Sequence, residues 1–173
     1  NTPVRRKFLR TTQTEMGHVS EAFTRIALSQ PHIRFCLRHN DRTIHDLPPV
    51  ERWSERIVAI FGEEIAANLM WVEGENEDLR VFGYAADPQI NRSHTRMQYL
   101  FLNGRHIRDR SLQHALGEAY RGLLMTGRSP ICFLQVELSP STVDVNVHPT
   151  KLEVRFLDSG RVYAQLLGVL RNK

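Results

Sequence analysis

The chain has 173 residues, 41% of them apolar and 24% charged, which supplies a globular core and argues against a disordered chain. Lys and Arg number 23 against 19 Asp and Glu, for a net charge of +4; this mildly basic balance permits nucleic-acid binding without requiring it. No apolar run reaches the roughly 20 residues of a membrane helix, and the opening Asn1-Thr2-Pro3-Val4-Arg5-Arg6-Lys7 has neither an initiator methionine nor the apolar stretch of a signal peptide, so we expect a piece of a longer protein with no membrane partner.

Thr14 can cap a first helix, whose Val19, Ala22, Phe23, Ile26 and Ala27 share one face, with Pro31 beyond its end. Ile33, Phe35 and Leu37 alternate as a strand, His39-Asn40-Asp41 turns, and 43–47 returns. Pro48-Pro49 removes two backbone donors and restricts the residue before each ring, so a boundary is expected there, dividing residues 1–49 from 50–173. Ser54 opens a second helix that Gly62 stops. A strand from Trp71 to Glu73, a loop over 74–78 and a strand over 79–85 read as a hairpin with an acidic tip, followed by a polar connection over 87–94.

Met97 to Leu102 reads as a strand, and Asn103-Gly104 is a strong two-residue hairpin signal, because both positions tolerate positive φ. Asp109 or Ser111 can cap the next helix, whose apolar stripe runs from Leu112 through Ala115, Leu116, Ala119 and Tyr120 to Leu123 and Leu124. Pro130 precedes a strand over 131–138. A final helix, capped by Ser159, presents Val162, Tyr163, Leu166, Leu167 and Leu170. This mixed order predicts an α+β fold, a sheet with helices on one face. Cys36 and Cys132 lie far apart in apolar runs and read as reduced, packed thiols, which fits a cytoplasmic setting. No metal site is expected, because two cysteines without a partnering histidine pair do not supply one.

The most informative stretch is Val143-Asp144-Val145-Asn146-Val147-His148-Pro149-Thr150-Lys151-Leu152-Glu153-Val154-Arg155-Phe156. Each half alternates with the period of a half-buried strand, and Pro149 breaks the first half because it has no amide proton for a ladder. Lys151 is left near the junction, beyond the polar row Asp144, Asn146 and His148. That placement suits a charge reaching out to an anion, although a solvated loop lysine has the same spacing.

This stretch resembles a segment of MutL-type DNA mismatch repair proteins. Asn1 to Leu9 resembles a segment late in that family's ATPase domain, and Tyr99 to Arg110 resembles its strand-Asn-Gly-Arg segment; the three occur in the family's order. Val4 and Thr150 stand where alanine is common. The resemblance implies a GHKL-type ATPase superfamily member. It implies that residues 1–49 are the terminal helix and hairpin of the ATPase domain. It implies that residues 50–173 are a transducer domain with the ribosomal-protein-like two-layer α/β fold and its left-handed βαβ crossover. ATP and Mg2+ would bind in the preceding domain of the whole protein, whose nucleotide motifs are not seen in this sequence, and the 173 residues alone would not hydrolyse ATP.

By the same resemblance Lys151 contacts the γ-phosphate held by that preceding domain, as a positioned positive charge would. Asp144, Asn146 and His148 either support that interface or form the solvent side of an edge strand. Arg105, Arg108 and Arg110, with His106, follow the Asn-Gly turn into a helix start. They read as a solvated basic loop or, by resemblance, as contacts to the DNA backbone, with Arg92 and Arg96 joining through the polar connection. The implied partners are DNA, the chain's own ATPase domain, a second copy in the full-length homodimer, a MutS-type mismatch sensor and a downstream nuclease or helicase. Two other readings stand beside this one: the transducer domain of a type II topoisomerase ATPase subunit, whose phosphate lysine sits in a Gln-Thr-Lys setting, and a stand-alone RNA-binding module of ribosomal type.

Overall fold

The structure, a computed structural model, describes residues 11–145 and 153–172. By packing it divides into two compact units, Asn1–Ile60 and Phe61–Lys173, a division later in the chain than Pro48-Pro49.

The first unit holds helix α1 (Thr12–Ser29), a hairpin of β1 (Phe35–His39) and β2 (Arg42–Leu47), and most of α2 (Trp53–Phe61). Thr11 caps α1, accepting from the Thr14 amide at 3.3 Å. Thr14 instead lies in the first turn, where its own hydroxyl meets that of Thr11 at 2.9 Å. Asn40 and Asp41 both take positive φ, 48° and 59°, as the tight turn between two short strands demands. Phe23 stacks on His45 and meets Phe35 edge-on. Ala27 and Leu28 are buried, whereas Val19 and Ile26 are exposed; a two-stranded hairpin covers less than the full apolar stripe. Helix α2 belongs here because the Trp53 indole donates to the Leu28 carbonyl at 2.9 Å, and the Arg56 Nη2 donates to the carbonyls of Pro31 and Ile33 at 2.7 and 2.8 Å.

The second unit begins at Phe61, the last residue of α2, and Gly62, with a φ of 87°, follows that helix. In order it comprises α3 (Glu63–Ala66), β3 (Leu69–Asn76), β4 (Leu79–Ala86), β5 (Asn91–Arg92), β6 (Gln98–Leu102), β7 (Arg105–Ile107), α4 (Arg110–Ala119), β8 (Ser129–Pro130), β9 (Cys132–Glu137), β10 (Val143–Asp144), β11 (Arg155–Phe156) and α5 (Ser159–Arg171). Five strands form one mixed sheet in the order β3-β4-β9-β6-β7. Only the β6–β9 pair is parallel, with Gln98 opposite Cys132 and Leu102 opposite Val136. Parallel neighbours need a crossover, and α4 lies within it.

Strand alternation sorts the sheet into two faces. Val72, Val81, Leu100, Leu134 and Val136 pack with Leu112 and Leu116 of α4 and Val162, Leu166 and Val169 of α5 in one buried cluster. At about 1.5–3 kcal/mol for each large aliphatic side chain buried, this layer supplies most of the unit's stabilisation. The opposite face carries Trp71, Tyr84, Phe133 and Tyr99, abreast across four strands; Phe61 tilts onto Tyr99 and Phe133.

Three local expectations change. Gly74 belongs to β3 rather than to a loop, and the acidic turn tightens onto Glu77, whose φ is 55°. Helix α4 stops at Ala119, with Gly122 in the left-handed region at 83°, so Leu123 lies outside the stripe and is 63% exposed. Asp158 rather than Ser159 caps α5, its carboxylate accepting from the Arg161 amide at 2.9 Å, where its charge also suits the positive end of the helix.

Candidate functional site

The segment singled out by its alternation is anchored at both ends. Val143 pairs with Phe156, and Asp144 with Arg155. Two-residue strands contribute little by themselves, but their inward side chains join the main core: Val154 and Phe156 are buried and Val143 packs against them. The Leu157 amide closes the ladder by donating to the Thr142 carbonyl at 2.9 Å. Asp144 is exposed beside this ladder. Asn146, His148 and Lys151 lie outside the described residues.

Of the basic residues, Arg105 opens β7 opposite Leu102, and Arg110 is the first residue of α4. Both side chains are exposed, and neither has an ion-pair partner among the described residues. Arg108 is exposed and already engaged by another group. Asp109 caps α4, accepting from the Leu112 amide at 2.8 Å. That carboxylate is thus engaged with the helix start. An anion approaching here would meet the guanidinium groups of Arg105 and Arg110, which have no ion-pair partner among the described residues, beside a helix start.

Arg92 pairs with Ser129 in the β5–β8 ladder, just ahead of the start of β9, whereas Arg105 lies opposite Leu102 at the far end of β6, a strand about 13 Å long. The polar connection is also more regular than its composition suggests. The Asp87 carboxylate accepts from the Gln89 amide at 2.8 Å, and Arg128 donates to both the side chain and the carbonyl of Asn91. Arg128 gave no sequence signal, because its partner lies 37 positions away.

Asn103 does more than turn the chain. With φ at 48°, its side chain donates to the Leu138 carbonyl at 2.8 Å and accepts from the Leu138 amide at 3.0 Å. It therefore locks the β6–β7 turn, and with it Arg105, to the end of β9. The Asn-Gly pair marks the turn in sequence; only the fold reveals the second clamp. Among the described residues, no group of three or more His, Cys, Asp or Glu side chains converges as a metal site, and no helix is long and apolar enough to cross a membrane.

The family model for "DNA mismatch repair protein, C-terminal domain" matches residues 57–173. The chain belongs to the MutL-type DNA mismatch repair proteins. MutL of Chromohalobacter salexigens is 45% identical over 173 residues, a stretch covering 98% of this chain and 27% of that one. MutL of Syntrophotalea carbinolica is 43% identical over 173 residues, covering 99% and 28%. The chain thus spans about a quarter of the length of these MutL relatives. Among solved structures, the N-terminal domain of a DNA repair protein superposes with a TM-score of 0.79 at 21% identity, covering 99% of this chain and 57% of that one; that likeness concerns the fold. The Aquifex aeolicus MutL ATPase domain complexed with ADP superposes with a TM-score of 0.60 at 25% identity, covering 81% of this chain and 49% of that one. MutL membership sets aside the topoisomerase subunit and the RNA-binding module.

Proposed function

We propose that this chain is the coupling part of a mismatch repair ATPase. In this reading residues 1–49 end the GHKL-type ATPase domain and residues 50–173 are the transducer. Lys151 reaches the γ-phosphate of a nucleotide held, with Mg2+, by the domain that precedes it in the whole protein. The observation that carries the reading is the Val143–Phe156 sequence, in which a lone lysine follows the alternating polar residues Asp144, Asn146 and His148, together with the pairing of the stretch's two ends, Val143 with Phe156. The ADP bound by the Aquifex aeolicus relative supports a nucleotide as the ligand. Asp144, Asn146 and His148 would support the interface. A flexible ammonium suits the task as a point charge that contributes most when negative charge builds on the transferring phosphoryl group.

Arg105, Arg108 and Arg110 would hold DNA by its phosphates, without sequence preference. That Arg105 and Arg110 are exposed and have no ion-pair partner among the described residues supports this. Nucleotide state would then be coupled to homodimerisation, to a MutS-type sensor and to a downstream nuclease or helicase, in a cytoplasmic setting. The 173 residues alone would not turn over ATP.

The test uses the full-length protein. Lys151→Ala should lower ATP turnover at least tenfold, about 1.4 kcal/mol of barrier, while leaving the unfolding transition unchanged. Unaltered turnover would remove the phosphate contact. Arg110→Glu should weaken DNA binding and reduce the slope of log K against log salt by about one for each phosphate that is no longer neutralised. An unaltered slope would place DNA elsewhere.

A further inference from the structure

We infer that the free edge of β3, with the aromatic and acidic face beside it, docks an extended segment of a partner protein in which basic and apolar side chains alternate. The sheet has two edges, β3 and β7. Strand β7 is three residues long, and shortness is one way an edge is protected. Strand β3 has eight residues and pairs in unbroken register with β4, from Leu69 opposite Ala86 to Asn76 opposite Leu79. It carries no lysine, no proline and no bulge, and among the described residues no strand pairs with its other side. Its outward backbone groups therefore form a template for one more strand.

Side chains on that edge indicate what the added strand would carry. Met70 and Trp71 are 40% and 41% exposed, large apolar surfaces next to unpaired backbone. Trp71 packs edge-on against Tyr84 with ring centroids 5.1 Å apart, so it is held rather than loose, and tryptophan in such a setting anchors protein interfaces. Further along, the face turns acidic. The β3–β4 hairpin, 69–86, contains Glu73, Glu75, Glu77 and Asp78 and one basic residue of its own, Arg80, a net charge of −3 in a chain of +4; Arg161 of α5 answers Glu77 and Asp78 at the turn, so the uncompensated charge lies along the strand. Arg80 answers Glu73 and Glu137 and lies over the Phe82 ring at 4.3 Å; Glu75 has no counter-ion among the described residues. This field repels a phosphate backbone and attracts a lysine- or arginine-bearing peptide. Period-two alternation in the incoming strand would lay its side chains on the side of Trp71, Glu73 and Glu75 at every second position.

The experiment is an amide NMR titration of the 173-residue chain with two synthetic peptides the length of β3, one alternating lysine with valine and the other glutamate with valine. The lysine peptide should bind at least tenfold more tightly, with shifts centred on the β3 amides and the Trp71 indole. Glu75→Lys, at an exposed site, should lower that affinity about tenfold and leave the spectrum of α4 and α5 unaltered; Trp71→Ala should weaken it independently of salt. Equal affinity for the two peptides, or shifts centred away from β3, overturns the inference. So does concentration dependence of the β3 shifts without peptide, which would assign the edge to a second copy, or displacement of those shifts by duplex DNA.

Discussion

Gly74 of β3 lies directly beneath Val169 of α5: a Cβ built on Gly74 would stand 2.5 Å from the Val169 Cγ2. The glycine is required for close approach rather than for a left-handed backbone, and it sets how near the helix comes to the sheet. Gly74→Ala should therefore destabilise the domain by about 1–3 kcal/mol through overpacking. Val169→Ala in the same chain should recover part of that loss. Urea denaturation of the two single variants and the double variant measures the coupling; the double variant is expected to lose less than the sum of the two single losses, because the two side chains compete for one space.

Asn103 offers a second measurement that separates backbone from side chain. Asn103→Gly keeps a residue that accepts positive φ but loses both hydrogen bonds to Leu138, and should cost about 1–3 kcal/mol. Asn103→Ala loses the bonds and strains the turn, so it should cost more. Equal losses would mean that the turn conformation contributes nothing beyond the clamp.

The pair between Asp78 and Arg161 ties the β3–β4 turn to the first turn of α5. Arg161 donates to the Asp78 carboxylate at 2.7 Å and to the Asn76 carbonyl at 2.9 Å. The hydrogen bond from Arg161, reinforced by its charge and opposed by partial desolvation, holds the Asp78 carboxyl below the ordinary aspartate range. A carboxyl depressed in the folded state adds stability above its unfolded pKa, and that stability is lost as pH falls through the folded value. Wild type should therefore exceed Asp78→Asn in Tm near neutrality, by a small margin because the pair is solvent-exposed. The two melting curves should converge as pH drops below the ordinary aspartate range.

The two cysteines should separate cleanly in reactivity. Cys36 is exposed, whereas Cys132 is fully buried on the core side of β9, and that burial pushes its thiol pKa well above the usual range. A thiolate-specific reagent should label one site per native chain and two in denaturant. Labelling of Cys132 in the native state would indicate opening of the sheet between β4 and β6.

Much of this architecture was legible before the structure. Asn103-Gly104 marked its hairpin because few residue pairs accept two positive φ values, and Asp109 and Ser111 marked the start of α4 to within two residues, of which Asp109 is the cap because its short carboxylate satisfies a free amide. The stripe from Leu112 to Tyr120 marked a buried helix face. Less legible were features set by residues far apart. Leu123 and Leu124 continue the apolar period, yet Gly122 turns the chain out of the helix before them. The separation of Arg92 from Arg105 depends on which strand ends meet, and the bond from Arg128 to Asn91 has no local signature.

By itself the sequence determined the identity of the helices and the main hairpins, and the family, because spacing, capping and turn chemistry act within a few residues and the Val143–Phe156 stretch is long and specific. The tertiary structure alone decided the parallel pairing of β6 with β9, the close seat of Val169 over Gly74, the clamp of Asn103 on Leu138 and the open acidic edge of β3. Each of these is a contact between segments distant in the chain, and such contacts follow from how apolar faces are buried together rather than from any local preference.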